Sequence, residues 1–287
     1  MAALRRKNRN RPVLVLGGNG KTGGRVADRL RARGTPVRIG SRKGTPPFDW
    51  DDRSTWPAAV DGARAAYISY YPDLAVPGAA DAVGLFAEQA MAAGVRRLVL
   101  LSGRGEEEAQ RAESLLRQSG AEWTIVRSSF FDQTFSENFM LDMVIGGEVA
   151  LPAGEVREPF VDADDIADVA AAALTGRGHE GQVYEVTGPR LLTFDDAVEE
   201  ISSAAGREVR YVQLSRDAFA DALRAESVPE DYVWLLDYLF ATVLDGRNQY
   251  VTDGVARALG RAPREFRDYA RAAAATGVWT PAADRVA

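Results

Sequence analysis

Apolar and polar positions along the first half of this chain switch repeatedly between a continuous and a helical pattern. Pro12-Val13-Leu14-Val15-Leu16 is an unbroken apolar run that stops at glycines, and Val26, Ala27 and Leu30 then recur at helical spacing. Strand, tight turn and helix are predicted. A second strand reads from Pro36 to Ile39. Ala65-Ala66-Tyr67-Ile68 gives another, followed by a helix over 76–93 closed by Gly94. Val95 to Ser102 is the next strand, and 106–118 a helix running from acidic to basic, which suits its dipole, before Gly120. Trp123-Thr124-Ile125-Val126-Arg127 closes the series. Strands alternating with helices in this way predict an α/β fold, a doubly wound parallel sheet of the Rossmann type.

Between the second strand and Ala65 the pattern is ambiguous. Pro46 and Pro47 end the preceding element, and Asp52 to Ser54 could open a short helix. Asp49 and Trp50 then read either as a loop that passes a nucleotide base or as a third strand with a buried Trp, which would make Ala65 to Ile68 the fourth.

Past Arg127 the texture changes. Phe130, Phe131, Phe135, Phe139 and Met140 crowd a stretch that also carries Gln133, Glu137 and Asn138. An apolar wall with a few polar groups is what a small-molecule site requires, although any one of these aromatics could equally be core. Glu158 to Val161 reads as a strand leading into a helix capped by Asp162, with Asp165 at the capping-box position; here the structural role outweighs a catalytic one. Gln182 to Val186 is a further strand, and Thr193 caps a helix over 194–205. From Val209 onward one short strand and several helices are expected, including 231–244, which either lids a pocket or packs a helical subdomain. The predicted division is a disordered basic tail over 1–11, a nucleotide-binding domain over 12–150, and a smaller, mostly helical substrate region over 151–287 that also completes the sheet.

The first turn carries the chemistry. Gly17, Gly20 and Gly23, with Gly18, Asn19, Lys21 and Thr22 between them, form G-x-x-G-x-x-G between a strand and a helix. Such glycines let the backbone turn sharply and approach a pyrophosphate, while the helix start offers N–H groups to the anion. A nucleoside-triphosphate P-loop would need a glycine five residues before Gly20, where Val15 stands. At the end of the second strand, Ser41, Arg42 and Lys43 supply a hydroxyl and two cations but no carboxylate. A 2′-phosphate suits that set better than a bare ribose hydroxyl, so NADP(H) is the expected cofactor. Ligands of open α/β sheets bind beyond the strands' carboxyl ends, which places Ser69, Tyr70, Tyr71, Ser102 and Gly103 toward the same cofactor.

Composition narrows the classes. The 287 residues are 46% hydrophobic and 26% charged, with a formal net charge of −6, which argues against general nucleic-acid binding. With no cysteine and one histidine, His179 in a glycine-rich loop, thiolate catalysis is excluded and neither a zinc site nor a Ser-His-Asp triad is expected; His179 reads as a surface residue. No long apolar run suggests a membrane span, and a cytoplasmic enzyme is expected, monomeric or homodimeric.

The loop Gly17 to Gly23, Ser41-Arg42, Pro47-Phe48-Asp49-Trp50 with Ser54-Thr55-Trp56, and Phe160-Val161-Asp162 with Asp164-Asp165-Ile166-Ala167 together resemble an atypical short-chain dehydrogenase/reductase of the NmrA-like group, and within it the agroclavine/festuclavine dehydrogenase-like branch. That resemblance implies a Rossmann domain, NADPH, and reduction of iminium, quinone or related conjugated acceptors, with a place in secondary metabolism. Redox-sensing regulators share the group, so a non-catalytic NADP sensor and a redox-neutral epimerase or rearrangement enzyme stand as alternatives. One departure matters. Ordinary dehydrogenases use a Tyr followed four residues later by a Lys, whereas the lysines here are Lys7, Lys21 and Lys43, none in that relation to a Tyr. Ser102, Tyr70 and Tyr71 are the candidate proton donors or orienters, and Phe130, Phe131, Phe135, Asn138 and Phe139 the candidate substrate wall.

Overall fold

The computed structural model describes residues 10–281, so the tail over 1–9 lies outside the described residues. Eight strands are described: β1 (Val13–Leu16), β2 (Val37–Gly40), β3 (Ala65–Ile68), β4 (Arg97–Gly103), β5 (Glu122–Ser128), β6 (Glu148–Leu151), β7 (Gln182–Val186) and β8 (Arg210–Gln213). The chain divides into two compact units. One takes in the chain up to Ser128 with 163–186 and 253–261; the other holds 129–162, 187–252 and the chain from Ala262 onward.

In the first unit six strands form one parallel sheet in the order β2-β1-β3-β4-β5-β7. β1 and β3 are buried along their whole length, which is why their sequences are continuous apolar runs rather than alternating ones. Helices Lys21–Ala32, Ala79–Ala92, Glu107–Gln118 and Ala163–Thr175 accompany the sheet. One core collects Leu14, Leu16, Ile68, Leu98 and Leu100 from the strands with Phe86 and Trp56. Helix Ala163–Thr175 meets helix Lys21–Ala32 through ion pairs, Arg29 reaching Asp168 at 2.5 Å and Asp164 at 2.7 Å, while Arg261 holds Asp165 and Asp168, each at 2.6 Å.

Three expectations change here. No strand forms at 48–50, so Ala65–Ile68 is the third strand and β2 is the sheet edge. The prolines remove two donors, and the next amides are used locally: Phe48 N–H donates to the Ser41 carbonyl at 2.9 Å and Asp49 N–H to Thr55 Oγ1 at 3.0 Å. The stretch 158–161 makes only isolated bridges, Phe131 with Val161 and Glu158 with Leu192, because Pro159 interrupts any ladder. Arg11, assigned to the tail, is tied down by 2.9 Å hydrogen bonds to the Gly62 and Ala63 carbonyls.

The second unit pairs β6 with β8 in parallel and builds its own core from Phe135, Phe160, Phe194, Phe240 and Phe266. Trp279 closes it by donating its indole N–H to the Phe135 carbonyl at 2.8 Å. The helix Phe194–Ala205 starts in a capping box of Thr193 with Asp196, as its sequence implied. Within 231–244, Val233, Leu235 and Phe240 are buried, which is the packing role. The short strand β6 had no clear sequence signal, since Glu148-Val149-Ala150-Leu151 is as good a helix end as a strand.

Candidate functional site

The sheet order reverses between β1 and β3, and the crevice outside their carboxyl ends is where an open α/β sheet takes its ligand. The glycine loop lies there. Gly17 sits at φ +64°, accessible to glycine without strain, and Gly20 N–H closes the turn on the Gly17 carbonyl at 2.8 Å. A Cβ on Gly23 would overlap that same carbonyl, so this helix can sit so tightly on the loop only with glycine there. Gly17, Asn19 and Gly20 form an exposed rim, whereas Gly18, Thr22 and Gly23 are buried beneath it. Gly20 caps the helix without a side chain, which leaves the helix start open to an anion. A cradle lined by backbone, too narrow for side chains, fits a dinucleotide pyrophosphate.

At the end of β2 the chain turns through a bond from Gly44 N–H to the Ser41 carbonyl at 2.9 Å. Arg42 and Lys43 are exposed on this turn and have no hydrogen-bond or ion-pair partner among the described residues. Two uncommitted cations beside a half-buried Ser41 suit a phosphate monoester. Asp49 and Trp50 belong to a packed loop: Trp50 Nε1 donates to the Ser69 carbonyl at 3.2 Å, and its ring meets Phe48, Trp56, Phe86 and Tyr70 with centroids 4.9–5.6 Å apart. Asp49 gives its carbonyl to Trp56 Nε1 at 2.6 Å. Both residues therefore shape the loop beside β3, with Trp50 left half-buried.

The candidate donors separate. Ser102 is buried, and its hydroxyl donates to Glu113 at 2.7 Å rather than pointing outward. Glu113, itself fully buried, also accepts from Arg127 through Nε at 2.8 Å and Nη2 at 2.5 Å, and from Arg117 at 3.0 Å. Tyr70 is half-buried against Trp50, and burial, with the Asp51 charge adding to it, pushes its phenol above the usual value. Tyr71 is 63% exposed. Gly103 ends β4 against the carboxyl of Glu106, a residue that the sequence places only at the acidic start of the helix over 106–118. His179 corrects its surface assignment: it is half-buried, with Nδ1 2.8 Å from the Tyr184 hydroxyl.

In the second unit the aromatic wall also divides. Phe135 is fully enclosed among Phe160, Phe194 and Phe266, a core position that takes it off the substrate wall, and Phe130 packs on Phe160, Phe194 and Phe240. Phe131 and Phe139 are half-buried and Asn138 is exposed, so these three keep accessible surface. A shallow cavity of about 550 Å³ lined by Ser202, Ser203, Arg207 and Val209 holds none of the residues singled out from sequence. Among the described residues no cluster of histidine and carboxylate side chains could hold a metal, and no helix is long and apolar enough to cross a membrane.

Comparison with known proteins agrees with this architecture. The chain is 31% identical over 286 residues to an NAD(P)H azoreductase of Xenophilus azovorans, covering 92% of this chain and 98% of the relative. It is 29% identical over 275 residues to agroclavine dehydrogenase of Claviceps fusiformis, covering 90% and 95%. Among solved structures, the triphenylmethane reductase of Citrobacter sp., complexed with NADP(H), superimposes with a TM-score of 0.74 at 18% identity over 91% of this chain and 99% of that one. The NmrA-like family model matches residues 107–270. With that match across more than half its length, this chain belongs to the NmrA-like family.

Proposed function

We propose that this protein is an NADP(H)-dependent reductase that delivers a hydride to a small conjugated acceptor, an iminium ion or a quinone. The observation that carries the cofactor choice is the pair of exposed cations Arg42 and Lys43 at the end of β2, which have no hydrogen-bond or ion-pair partner among the described residues. Gly17, Gly18, Asn19, Gly20, Lys21, Thr22 and Gly23 would hold the pyrophosphate, with Ser69 and Tyr70 beside it. Phe131, Asn138 and Phe139 are proposed for acceptor contact. Reduced nicotinamide supplies hydride; the protein's part is to bind, orient and exclude water, which for already activated acceptors supplies much of the rate. The names of the azoreductase and clavine dehydrogenase relatives support the reaction class, and the clavine name alone supports secondary metabolism.

The test is consumption of NADPH by the purified protein with a panel of quinones and cyclic iminium ions, with NADH run in parallel. Turnover with NADPH preferred is the expected result. Tight NADPH binding without consumption would favour a cofactor sensor or a redox-neutral enzyme instead, and failure to bind either cofactor would overturn the reading at Gly17.

A further inference from the structure

Three carboxyl groups of the first unit gather near the carboxyl ends of β3 and β4: Asp73 and Glu106 in the loops that follow the strands, and Glu113 on the helix beside β4. Two of them have evident work. Glu113 receives Ser102, Arg117 and Arg127. Asp73 accepts the Ala75 N–H at 2.8 Å and has the Lys21 charge beside it. Glu106 differs from both. Only 8% of it is exposed, yet its carboxyl has no hydrogen-bond or ion-pair partner among the described residues. It presses on the end of β4 so closely that a Cβ on Gly103 would overlap it. Its oxygens are not among the polar atoms sealed from solvent, so the group can exchange a proton.

The charges that bear on Glu106 are Asp73, from the loop after β3, and Glu113, from its own helix; no cation is among them. Lys21 acts on Asp73, while Arg117 and Arg127 are engaged by Glu113. Burial, reinforced by those two carboxylates, holds Glu106 well above the ordinary carboxyl range. A carboxyl in such a place is stable as the acid.

We infer that Glu106 is the proton donor of the reduction, placed at the binding edge of the sheet and taking over from the missing Tyr-Lys pair for acceptors that must be protonated on oxygen. This rests on the reductase reading above. With a quinone and NADPH, the acceptor gains two electrons and one hydrogen as hydride and becomes the hydroquinone monoanion, with its negative charge on the oxygen still to be protonated. The Glu106 O–H bond breaks as the new O–H bond forms, and the Glu106 carboxylate regains a proton from solvent. A cyclic iminium ion takes hydride at carbon and becomes a neutral amine with no proton needed. Ser102 is not available for the role because its hydroxyl is held by Glu113.

The experiment compares wild type with Glu106→Gln and Asp73→Asn, using NADPH, a soluble quinone and a cyclic iminium ion. In Glu106→Gln the ratio of quinone to iminium turnover should fall about 100-fold, the lower range for general acid catalysis, while NADPH binding, read by fluorescence, persists. Infrared difference spectra at neutral pH, without cofactor, should show a protonated carboxylic band in wild type that Glu106→Gln removes. Asp73→Asn takes away a charge that raises Glu106, so this band should be lost at lower pH, and the fall of quinone turnover should shift with it. An unchanged turnover ratio, equal slowing of both acceptors, or no carboxylic band in wild type would overturn the inference. If Glu106→Gln does not fold, an absent pH shift in Asp73→Asn overturns it alone. Wild type that binds NADPH but reduces neither acceptor would instead sink the reductase reading, and the donor role with it.

Discussion

The Ser102 hydroxyl donates to the Glu113 carboxylate across 2.7 Å, at a site where both residues are buried. That bond is one arm of a network in which Glu113 also receives Arg127 and Arg117, and Arg127 continues to Glu185 at 3.6 Å. β4, β5 and the helix Glu107–Gln118 are thereby fastened together near the carboxyl ends of the strands. Glu113→Gln should cost about 2–3 kcal/mol, less than the figure for a fully enclosed pair, because Arg127 and Arg117 keep 23% and 37% exposure. Ser102→Ala should cost about 2 kcal/mol, the worth of one hydrogen bond to a charged group, with the small cavity adding to it. Urea denaturation of both single variants and the double variant checks this: the double should cost less than the sum, because the singles break a shared bond.

Gly23→Ala tests the tightness of the loop. The added methyl would meet the Gly17 carbonyl, which is backbone and cannot rotate away. The helix start must therefore lift, at a cost of about 1–3 kcal/mol. Both the melting temperature and NADPH affinity should fall. A variant that melts lower but binds NADPH normally would mean that the cofactor does not use this turn.

Arg42→Asp replaces an exposed cation that has no partner among the described residues with a carboxylate, so little stability is at stake. The expected change is in cofactor choice. Losing a charge-assisted bond to a 2′-phosphate and gaining repulsion should reduce preference for NADPH over NADH by about 10- to 100-fold. Dissociation constants for the two cofactors provide the readout, and an unchanged ratio would place the 2′-phosphate elsewhere.

The glycine loop and the order of strands and helices up to Arg127 were legible because they depend on local chemistry. Glycines permit backbone approach whatever lies beyond them, and fully buried parallel strands must be apolar throughout. Side-chain direction was less legible. Ser102 stands at the strand end where a donor belongs, but its rotamer is decided by Glu113, eleven residues on. Phe135 and Phe139 share a helical spacing, and only the distant Phe160, Phe194 and Phe266 determine that the first is core. Glu106 was hidden for a related reason: Glu106, Glu107 and Glu108 read alike, and burial against Gly103 is a tertiary fact. Trp50 lost its chance at a strand to hydrogen bonds made by its neighbours, which no periodicity reports.

His179 gives a pH prediction whose sign follows from burial. Burial lowers its pKa first, the Glu180 charge opposes this, and Arg97 adds to the lowering. The unfolded chain therefore binds the proton at higher pH than the folded one. Stability from the neutral imidazole, bonded to the Tyr184 hydroxyl, is complete above the unfolded value of about 6.5 and is lost as pH falls through it toward the lower folded value. Carboxylates elsewhere contribute their own acid sensitivity, so the comparison must be differential. In melting curves recorded from mildly alkaline to mildly acidic buffer, His179→Gln should flatten part of the decline near that value while leaving the steeper loss at lower pH. Parallel curves for the two proteins would show that His179 titrates alike folded and unfolded, and would remove it as a determinant of acid stability.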